Sequence, residues 1–495
     1  MVAEFLFVAA LVILLGAVAV RAANRIGTPG LLLFLAMGLL LGPEGLGLEF
    51  ADTELARDLG LAAAGLILAE GGLTARMSVV RPQLGKALIL STLGVLVSVF
   101  VVAAVVVSVT GASWRTGLLL GAVVSSTDAA AVFSVLRSIR LRPRPVAILE
   151  AESGFNDAMA VGLVAFFASD AFDEDPWWQA GLDISYELAI GAAVGLAIGF
   201  AGRWLLPRVA LPAAGLYPLA VLSLAMGSYA AALLLNASGF MSVYVTALLL
   251  GSATLPHRRT VLGFAEGIGW LAQIGLFVML GILVDPSEIP GVLGIGILVS
   301  IVLVLLARPL SVWLCLTPFR MPIPEQVFLS WGGLRGAVPI VFATIPLSLG
   351  TPDGTLAFTT TFVVVVLLTA IQGPTLPGVA RRTGVASAEE LGELSVESAP
   401  LDEMRAALVE VDVPSGSHLA GMYLVDLRLP VGSLVSLVVR DDESIVPDEH
   451  LRLRSGDRVL IVATESSRAE TEQRLREVSR GGRLAGWYQA EAEPD

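Results

Sequence analysis

The chain has 495 residues, of which 55% are hydrophobic and only 15% are charged, and its mean hydropathy is +0.80. An ordinary soluble domain carries roughly a quarter charged residues, so this composition excludes a soluble globular protein and indicates that lipid is the main solvent. The net charge is −13, but 22 of the 44 acidic and only 11 of the 31 basic residues lie from Gly384 onward. The acidity therefore belongs to the C-terminal part of the chain.

Long apolar segments fill the chain up to residue 383. A membrane-spanning helix needs about 20 mostly apolar residues, and the sequence predicts 13 such segments, which makes this part an α-helical polytopic membrane domain. They cover residues 4–21, 28–47, 57–75, 85–110, 114–136, 145–169, 183–203, 212–235, 239–255, 261–284, 291–317, 323–348 and 355–379.

Basic residues lie in alternate loops, which predicts the orientation because positive loops stay in the cytoplasm. The intervening loops hold little positive charge, so we expect the N-terminus outside and the C-terminus in the cytoplasm of a plasma-membrane protein. The basic loop residues are Arg21, Arg25, Arg76, Arg81, Lys86, Arg137, Arg140, Arg142, Arg144, Arg203, Arg208, Arg258, Arg259, Arg320, Arg381 and Arg382.

A second, cytosolic domain is predicted after the last apolar segment. Residues 384–401 are rich in Glu, Ser and Ala and read as a flexible linker. Residues 402–480 then form a small α+β domain, and 481–495 a tail. With about 80 residues this domain has a small core, so pairing with a second copy would help it fold.

The local patterns of this domain predict its elements in turn. They are strands at Met404–Val413, Ser433–Val439 and Asp457–Val462, a turn at Asp441–Glu443, a short helix capped by Ser417 and a longer helix at Glu465–Val478.

Polar and ionisable residues at membrane depth are the sharpest functional signal. Each such charge costs roughly 2.5 to 3.5 kcal/mol on insertion scales and must be compensated. They lie on three of the apolar segments, as Glu70 on the third, Ser125, Ser126, Thr127 and Asp128 on the fifth, and Glu150, Glu152, Ser153, Asn156 and Asp157 on the sixth.

Helical spacing sorts the residues of the sixth segment. Positions three, four and seven apart share a face, so Glu150, Ser153 and Asp157 lie together, while Glu152 and Asn156 lie on an adjacent face. The helix can thus present Asp157 to a substrate while Glu152 contacts another partner.

Arg335 is the predicted partner of Glu152. It lies in the segment Trp331–Pro339, where three glycines and a proline weaken the helix, and unwound backbone at membrane depth needs a cavity or a buried partner. A buried arginine needs an acid, which Glu152 would supply through bidentate hydrogen bonds. Arg308 and Glu266 are interpreted instead as residues that extend to the membrane interface.

Asp157 is the candidate ion and proton carboxylate. A partly dehydrated carboxylate can hold either a proton or a hard monovalent cation, and competition for one site couples the two fluxes. Ser153, Thr127 and Glu70 could complete an oxygen cage, although Ser153 could instead bond its own helix and Glu70 could simply reach the cytoplasmic interface. Asp128 is either a ligand or, as we favour, a group that satisfies exposed helix ends.

Other chemistries lack their parts in the sequence. The three histidines, His257, His418 and His450, show no ligand spacing, and no ATP-binding or hydrolase motif is present. We therefore expect no cofactor and no nucleic-acid partner, and a secondary transporter in place of an enzyme.

Four short motifs on successive apolar segments carry a family resemblance. LAEGGL at 68–73, STD at 126–128, ESGFND at 152–157 and WGGLRG at 331–336 occur in this order. Residues 1 to about 383 resemble the monovalent cation:proton antiporter family that includes the NhaP-type bacterial exchangers and the animal sodium/proton exchangers.

The resemblance implies a homodimer of 13-helix protomers with inverted repeats, broken crossing helices and a mobile six-helix core that holds the ion site. It also implies that Asp157, preceded by Asn156, is the essential carboxylate, with Ser153, Glu70 and the Thr127 region lining the site and Glu152–Arg335 as a structural ion bridge. An Asn before Asp157 implies electroneutral exchange. The family commonly has prolines around the STD motif, where this chain has Ser126 and Ala129, so the position of the helix break is left open.

The cytosolic domain resembles the TrkA C-terminal domain, a ligand-sensing module of potassium uptake systems. The resemblance rests on Gly421–Arg440, Ile445–Pro447 and Ser455–Leu460. It implies dimerisation, a small ligand or nucleotide, and control of transport, and it favours potassium as the cation.

Three alternatives remain open at this point. Sodium/proton exchange would use the same carboxylates. A ligand-gated channel would explain the cytosolic domain but needs a filter of the TVGYG type, which the sequence lacks. A membrane sensor would have no reason to keep Glu70, Asp128, Glu152, Asp157 and Arg335 at membrane depth.

Overall fold

We analysed a computed structural model of the chain, which divides into two compact units, Met1–Ala386 and Ser387–Asp495. The structure describes all residues except 1, 27–29, 49, 51, 129–130, 133–135, 137–140, 387–394, 402–405, 415–416, 441–442, 465 and 482–495.

The first unit consists of helices. In chain order they are α1 (Val2–Ile26), α2 (Gly30–Leu41), α3 (Thr53–Thr74), α4 (Met77–Thr110), α5 (Trp114–Val123), α6 (Pro143–Ala168), α7 (Trp177–Leu205), α8 (Leu216–Leu234), α9 (Gly239–Gly251), α10 (Arg258–Leu283), α11 (Pro286–Phe319), α12 (Ile323–Trp331), α13 (Ala337–Ser348) and α14 (Gly354–Arg382).

Side-chain caps define where several of these helices begin. Asp52 accepts a hydrogen bond from the Leu55 N–H at the start of α3, Ser113 from Thr116 at α5, and Ser238 from Met241 at α9. Such caps satisfy backbone donors that have no partner within the helix. The sequence thus fixes helix starts even where the neighbouring residues are apolar.

Each of the 13 predicted segments contains one of these helices or a pair of them, which confirms the polytopic helical fold. Within the described residues, six helices are long and apolar enough to cross a membrane by length and composition: α4, α7, α8, α10, α11 and α14. The number of 13 spans stays a prediction.

Two predicted segments are interrupted in their middle. The fifth has regular helix up to Val123, an irregular backbone from 124 to 128, and helix again at residues 131–132. The twelfth is split into α12 and α13 by residues 332–336. The prediction of broken helices that cross is confirmed, because the Asp128 N–H donates a 2.9 Å hydrogen bond to the Leu334 carbonyl.

The second unit contains a five-stranded antiparallel sheet with strand order β1-β2-β5-β3-β4. The strands are β1 (Ser395–Leu401), β2 (Ala406–Asp412), β3 (Ser433–Arg440), β4 (Glu443–Ile445) and β5 (Arg458–Thr464), and the helix α15 is Arg468–Gly481. Buried and partly exposed residues alternate along β2 and β5, so one sheet face forms the core.

Two predictions for this unit need correction, one on the extent of the linker and one on a helix cap. The predicted linker 384–401 includes β1, which pairs along its whole length with β2; the strand was missed because it lacks a run of apolar residues. Ser417 caps no helix, since residues 418–421 form a turn, and its hydroxyl instead bonds the Ser479 hydroxyl on α15 at 2.9 Å.

Several predictions fall on residues outside the described ranges. These are the loop residues Arg137 and Arg140, part of the linker, the start of the first predicted strand, most of the predicted turn at Asp441, the start of the last helix and nearly all of the tail.

Candidate ion site at the crossing of two broken helices

The crossing point is built around Asp128. Its side chain accepts a 3.1 Å hydrogen bond from the Ala131 N–H, so it caps the chain that follows the break, as the sequence suggested. Its carboxylate fills the space where residue 336 would carry a Cβ atom. Gly336 is therefore required for the two broken segments to approach each other.

Three polar residues of α6 are fixed against the irregular backbone of residues 124–128. Ser126 donates a 2.5 Å hydrogen bond to Oδ1 of Asp157. Asn156 Nδ2 donates to Thr127 Oγ1 at 2.6 Å, and Ser153 Oγ donates to the Thr127 carbonyl at 2.8 Å. Asp157 and Asn156 are 4% and 0% exposed. The buried carboxylate is therefore held by contacts that only the interrupted helix can provide.

A cavity of about 460 Å³ connects this cluster with α3 and α10. Asp157, Asp128, Thr127, Ser153 and Glu70 all line it. The structure thus brings five of the six predicted site residues to one cavity. The sixth, Asn156, contacts the site through Thr127.

The ion pair of Glu152 differs from the prediction. Glu152 is 1% exposed and pairs with Arg308 of α11 through both guanidinium Nη atoms, one bond being 2.7 Å. Arg308 Nη2 also donates to the Leu329 carbonyl at 3.2 Å. The predicted Glu152–Arg335 bridge is therefore wrong as to its cation.

The reason lies in the break between α12 and α13. A Cβ atom at residue 333 would lie 2.8 Å from Arg308 Nε, so Gly333 leaves the space through which Arg308 reaches Glu152. The interpretation of Arg308 as an interface residue is wrong, because the side chain is 6% exposed. A glycine in the break between two other helices allows this contact, and helical spacing cannot reveal it.

Arg335 is also buried, at 1% exposure. Its Nε and Nη1 atoms have no hydrogen-bond partner among the described residues, while its backbone carbonyl accepts a 3.0 Å bond from Thr369. Its charge interacts with those of Glu152 and Asp157 without forming a close ion pair. The site therefore holds two buried arginines and one directly paired acid.

The comparisons with known proteins agree with this geometry. The model of the transmembrane sodium/hydrogen exchanger family matches residues 8–382, and that of the TrkA-C domain matches residues 408–476. The chain belongs to the sodium/hydrogen exchanger family. The resemblance inferred from the four motifs and from the C-terminal domain is thereby confirmed.

Relatives of this exchanger are named for both cations. The K(+)/H(+) antiporter NhaP of Alkalimonas amylolytica is 35% identical over 463 residues, which cover 91% of this chain and 79% of that protein. The K(+)/H(+) antiporter NhaP2 of Shewanella baltica (strain OS223) is 35% identical over 453 residues, covering 90% and 78%. The Na(+)/H(+) antiporter 1 of Methanocaldococcus jannaschii is 26% identical over 370 residues, covering 67% and 81%.

A solved structure has the same fold as the exchanger domain. The sodium proton antiporter MjNhaP1 from Methanocaldococcus jannaschii at pH 8 superposes with a TM-score of 0.66 at 22% identity, over 78% of this chain and 100% of that one.

The cavity of this exchanger is also lined by polar residues that were not predicted as site residues, among them Glu150, Tyr244, Glu266 and Gln273. Glu150 shares its helical face with Asp157, and Glu266 and Gln273 share theirs by the same spacing of seven. The Tyr244 hydroxyl donates to the Glu150 carbonyl at 3.3 Å. The spacing could have suggested these positions, but only the tertiary structure shows that α10 faces α6.

α3 contacts α13 near its start. The Arg57 Nη1 atom donates a 3.1 Å hydrogen bond to Ser348 Oγ at the end of α13. One turn further along α3, a Cβ atom at Gly60 would lie 3.2 Å from Val341. The start of α3 therefore packs against α13, while the cavity residues Glu70 and Thr74 lie near the end of α3.

Proposed function

We propose that this exchanger is a secondary active antiporter that exchanges K⁺ for H⁺, with Asp157 as the group that binds both. One observation carries the proposal: a buried carboxylate lies on the wall of a cavity at the crossing of two broken helices, where hydroxyls and backbone carbonyls are concentrated. Intramembrane carboxylates at such crossings can exchange a proton for a cation.

Competition for Asp157 couples the two fluxes. The neutral carboxylic acid and the cation complex of the carboxylate both lack a net charge at this group, and each can cross in a buried state more readily than the bare anion. Asn156 is uncharged, so Asp157 supplies the single carboxylate of the pair. This favours one proton per cation and electroneutral exchange.

The surrounding residues have different roles in this proposal. Ser153, Glu70 and the Thr127 region supply oxygen atoms to the dehydrated cation, and Ser126 orients the Asp157 carboxylate through its hydrogen bond. Asp128 fixes the crossing. Glu152 and Arg308 form the structural ion bridge, and Arg335 places a positive charge beside the site.

The two relatives that align with both domains are named K(+)/H(+) antiporters, which favours potassium over sodium as the cation. Sodium is the second candidate, supported by the name of the Methanocaldococcus jannaschii relative. Both ions are hard cations that take oxygen ligands, so the same residues serve either exchange.

The proposed setting is a plasma membrane with the N-terminus outside and the cytosolic domain inside. In this orientation the starts of α6 and α10 and the end of α3 face the cytoplasm, and the cavity opens there. We further propose a homodimer through both domains, and a small ligand or nucleotide on the TrkA-C domain that biases transport.

Proton movement in proteoliposomes tests the function. The full-length protein is reconstituted with a pH-sensitive dye, and K⁺, Na⁺ or Li⁺ is added to wild type, Asp157→Asn and Asp170→Asn. Asp170 is an exposed carboxylate in the turn after α6 and serves as the matched control. We expect K⁺-dependent proton release from wild type and Asp170→Asn and none from Asp157→Asn.

The other results each contradict one part of the proposal. A response to Na⁺ alone would select sodium/proton exchange. Full activity of Asp157→Asn would remove Asp157 as the coupling group. A K⁺ flux without proton movement would indicate a channel.

A further inference from the structure

Gln273 on α10 is a largely buried polar residue of the cavity wall. It is 9% exposed and lines the cavity. Its side chain forms no hydrogen bond to any residue within the described ranges. A polar side chain that lines a cavity without a protein partner can bind a water molecule or an ion there.

The residues around Gln273 show that its helical face is the cavity face. Gly269, one turn earlier, packs against the Glu70 side chain, where an added Cβ atom would lie 3.0 Å from Glu70 Cγ. Glu266, two turns earlier, lines the same cavity. Residues 266, 269 and 273 thus form one stripe on α10.

Gln273 and Asp157 lie a similar number of residues after the starts of their helices, and each helix start carries arginines. Asp157 is 14 residues after the start of α6 at Pro143, and Gln273 is 15 residues after the start of α10 at Arg258. At 1.5 Å per residue these positions are about 21 and 23 Å along their helices. Each residue thus lies about four turns into its own helix, and both side chains line the same cavity from different helices.

We propose that Gln273 is a ligand of the transported monovalent cation and helps to determine which cation is accepted. Its neutral carbonyl oxygen adds an oxygen ligand from α10 to those that α6 and the broken helix provide. Because the amide carries no charge, it contributes to coordination without changing the number of charges exchanged. This inference rests on the proposed antiport function.

Variants of Gln273 can separate cation coordination from hydrogen-bond donation, because the amide has both an oxygen atom and an NH₂ group. The oxygen atom coordinates a cation, whereas the NH₂ group can only donate hydrogen bonds to the cavity acids. Gln273→Glu keeps oxygen ligands and loses the donor, while Gln273→Leu loses both. The two variants thus distinguish cation binding from hydrogen-bond donation to an acid.

The experiment measures apparent KM and maximal rate for K⁺ and Na⁺ in proteoliposomes of the full-length protein. It compares wild type, Gln273→Leu, Gln273→Glu and Leu271→Ala; Leu271 is a matched position on α10 that is 47% exposed. We expect Gln273→Leu to raise the apparent KM for K⁺ by about tenfold, the loss of one uncharged ligand. The K⁺/Na⁺ preference should change with it, while Leu271→Ala keeps a KM close to that of wild type. Gln273→Glu keeps oxygen ligands but adds a negative charge to the cavity, so its KM can shift, but its K⁺ binding should be less impaired than that of Gln273→Leu.

Three results would overturn the proposal while the antiport of wild type stands. They are an unchanged KM and ion preference in Gln273→Leu, a loss of maximal rate that is equal for all cations, or a Gln273→Glu variant as impaired as Gln273→Leu. If Gln273→Leu does not fold, Gln273→Asn replaces it, with cation-dependent thermal stabilisation of the purified protein as the readout. Equal stabilisation by K⁺ in Gln273→Asn and wild type would then refute the role. An absence of antiport in wild type would instead refute the proposed function.

Discussion

The cation that neutralises Glu152 can be identified by removing the two candidate arginines separately. Arg308→Met takes away both hydrogen bonds to a carboxylate that is 1% exposed. Removing one partner of a buried ion pair costs roughly 3–5 kcal/mol, because the other charge remains buried without compensation. Removing both partners costs much less, so Arg308→Met/Glu152→Gln should recover most of the loss.

The predicted change in melting temperature follows from this free energy. One kcal/mol shifts Tm by about 2–4 °C in domains of 150–250 residues, and by roughly half as much in a unit twice that size. For the unit Met1–Ala386, Arg308→Met should therefore lower Tm by roughly 3–10 °C. Arg335→Met should lower it less, since two of its guanidinium nitrogen atoms have no hydrogen-bond partner among the described residues.

Intrinsic fluorescence of the detergent-purified full-length protein measures these shifts, at more than one heating rate because unfolding of membrane proteins is often irreversible. The decisive quantity is the coupling in each double-mutant cycle. Strong coupling of Glu152→Gln with Arg335→Met, and none with Arg308→Met, would refute the reasoning and restore the bridge expected from the sequence.

Three further changes test other contacts. Gly336→Ala should abolish K⁺-dependent proton movement in proteoliposomes, because the new methyl group would meet the Asp128 carboxylate; activity near that of wild type would show that the crossing can widen. Arg115→Gln should lower Tm by a few degrees without changing the apparent KM for K⁺, because Arg115 donates to the last carbonyls of α6, far from Asp157; a changed KM would contradict this. Burial raises the pKa of Asp457, but hydrogen bonds from Arg440 and the Arg454 backbone outweigh this and lower the pKa of Asp457 below its ordinary value. The ionised Asp457 carboxylate thus stabilises this unit above about pH 4, and the stabilisation is lost as the pH falls through the lowered pKa. Hydrogen exchange in β5, corrected for intrinsic rates, should therefore increase at low pH in wild type. In Asp457→Asn the exchange in β5 should show no further increase when the pH is lowered.

Site residues were predictable from the sequence where the argument for them does not depend on contacts with distant parts of the chain. Charges at membrane depth are costly whatever their neighbours, so Asp157, Glu70 and Asp128 stand out in the sequence, and the structure brings them to one cavity. Helical spacing also sorted α6 correctly, with Asp157 at the cavity and Glu152 in an ion pair elsewhere. Ser126, which contacts Asp157 directly, was noted among the polar residues of the fifth segment and in place of a proline, but not as a residue of the site.

What a sequence determines by itself is the set of properties that depend on neighbours along the chain. Apolar length fixed the helical segments, glycine and proline marked the break near Arg335, and the four motifs identified the family. Pairing across the chain was decided by the tertiary structure alone: β1 is a strand because β2 offers it a partner. Glu152 binds Arg308, and Gly333 leaves the space that the Arg308 guanidinium needs to reach it. Gln273 faces the cavity because α10 packs beside α3, and no pattern along one helix records which helix lies opposite.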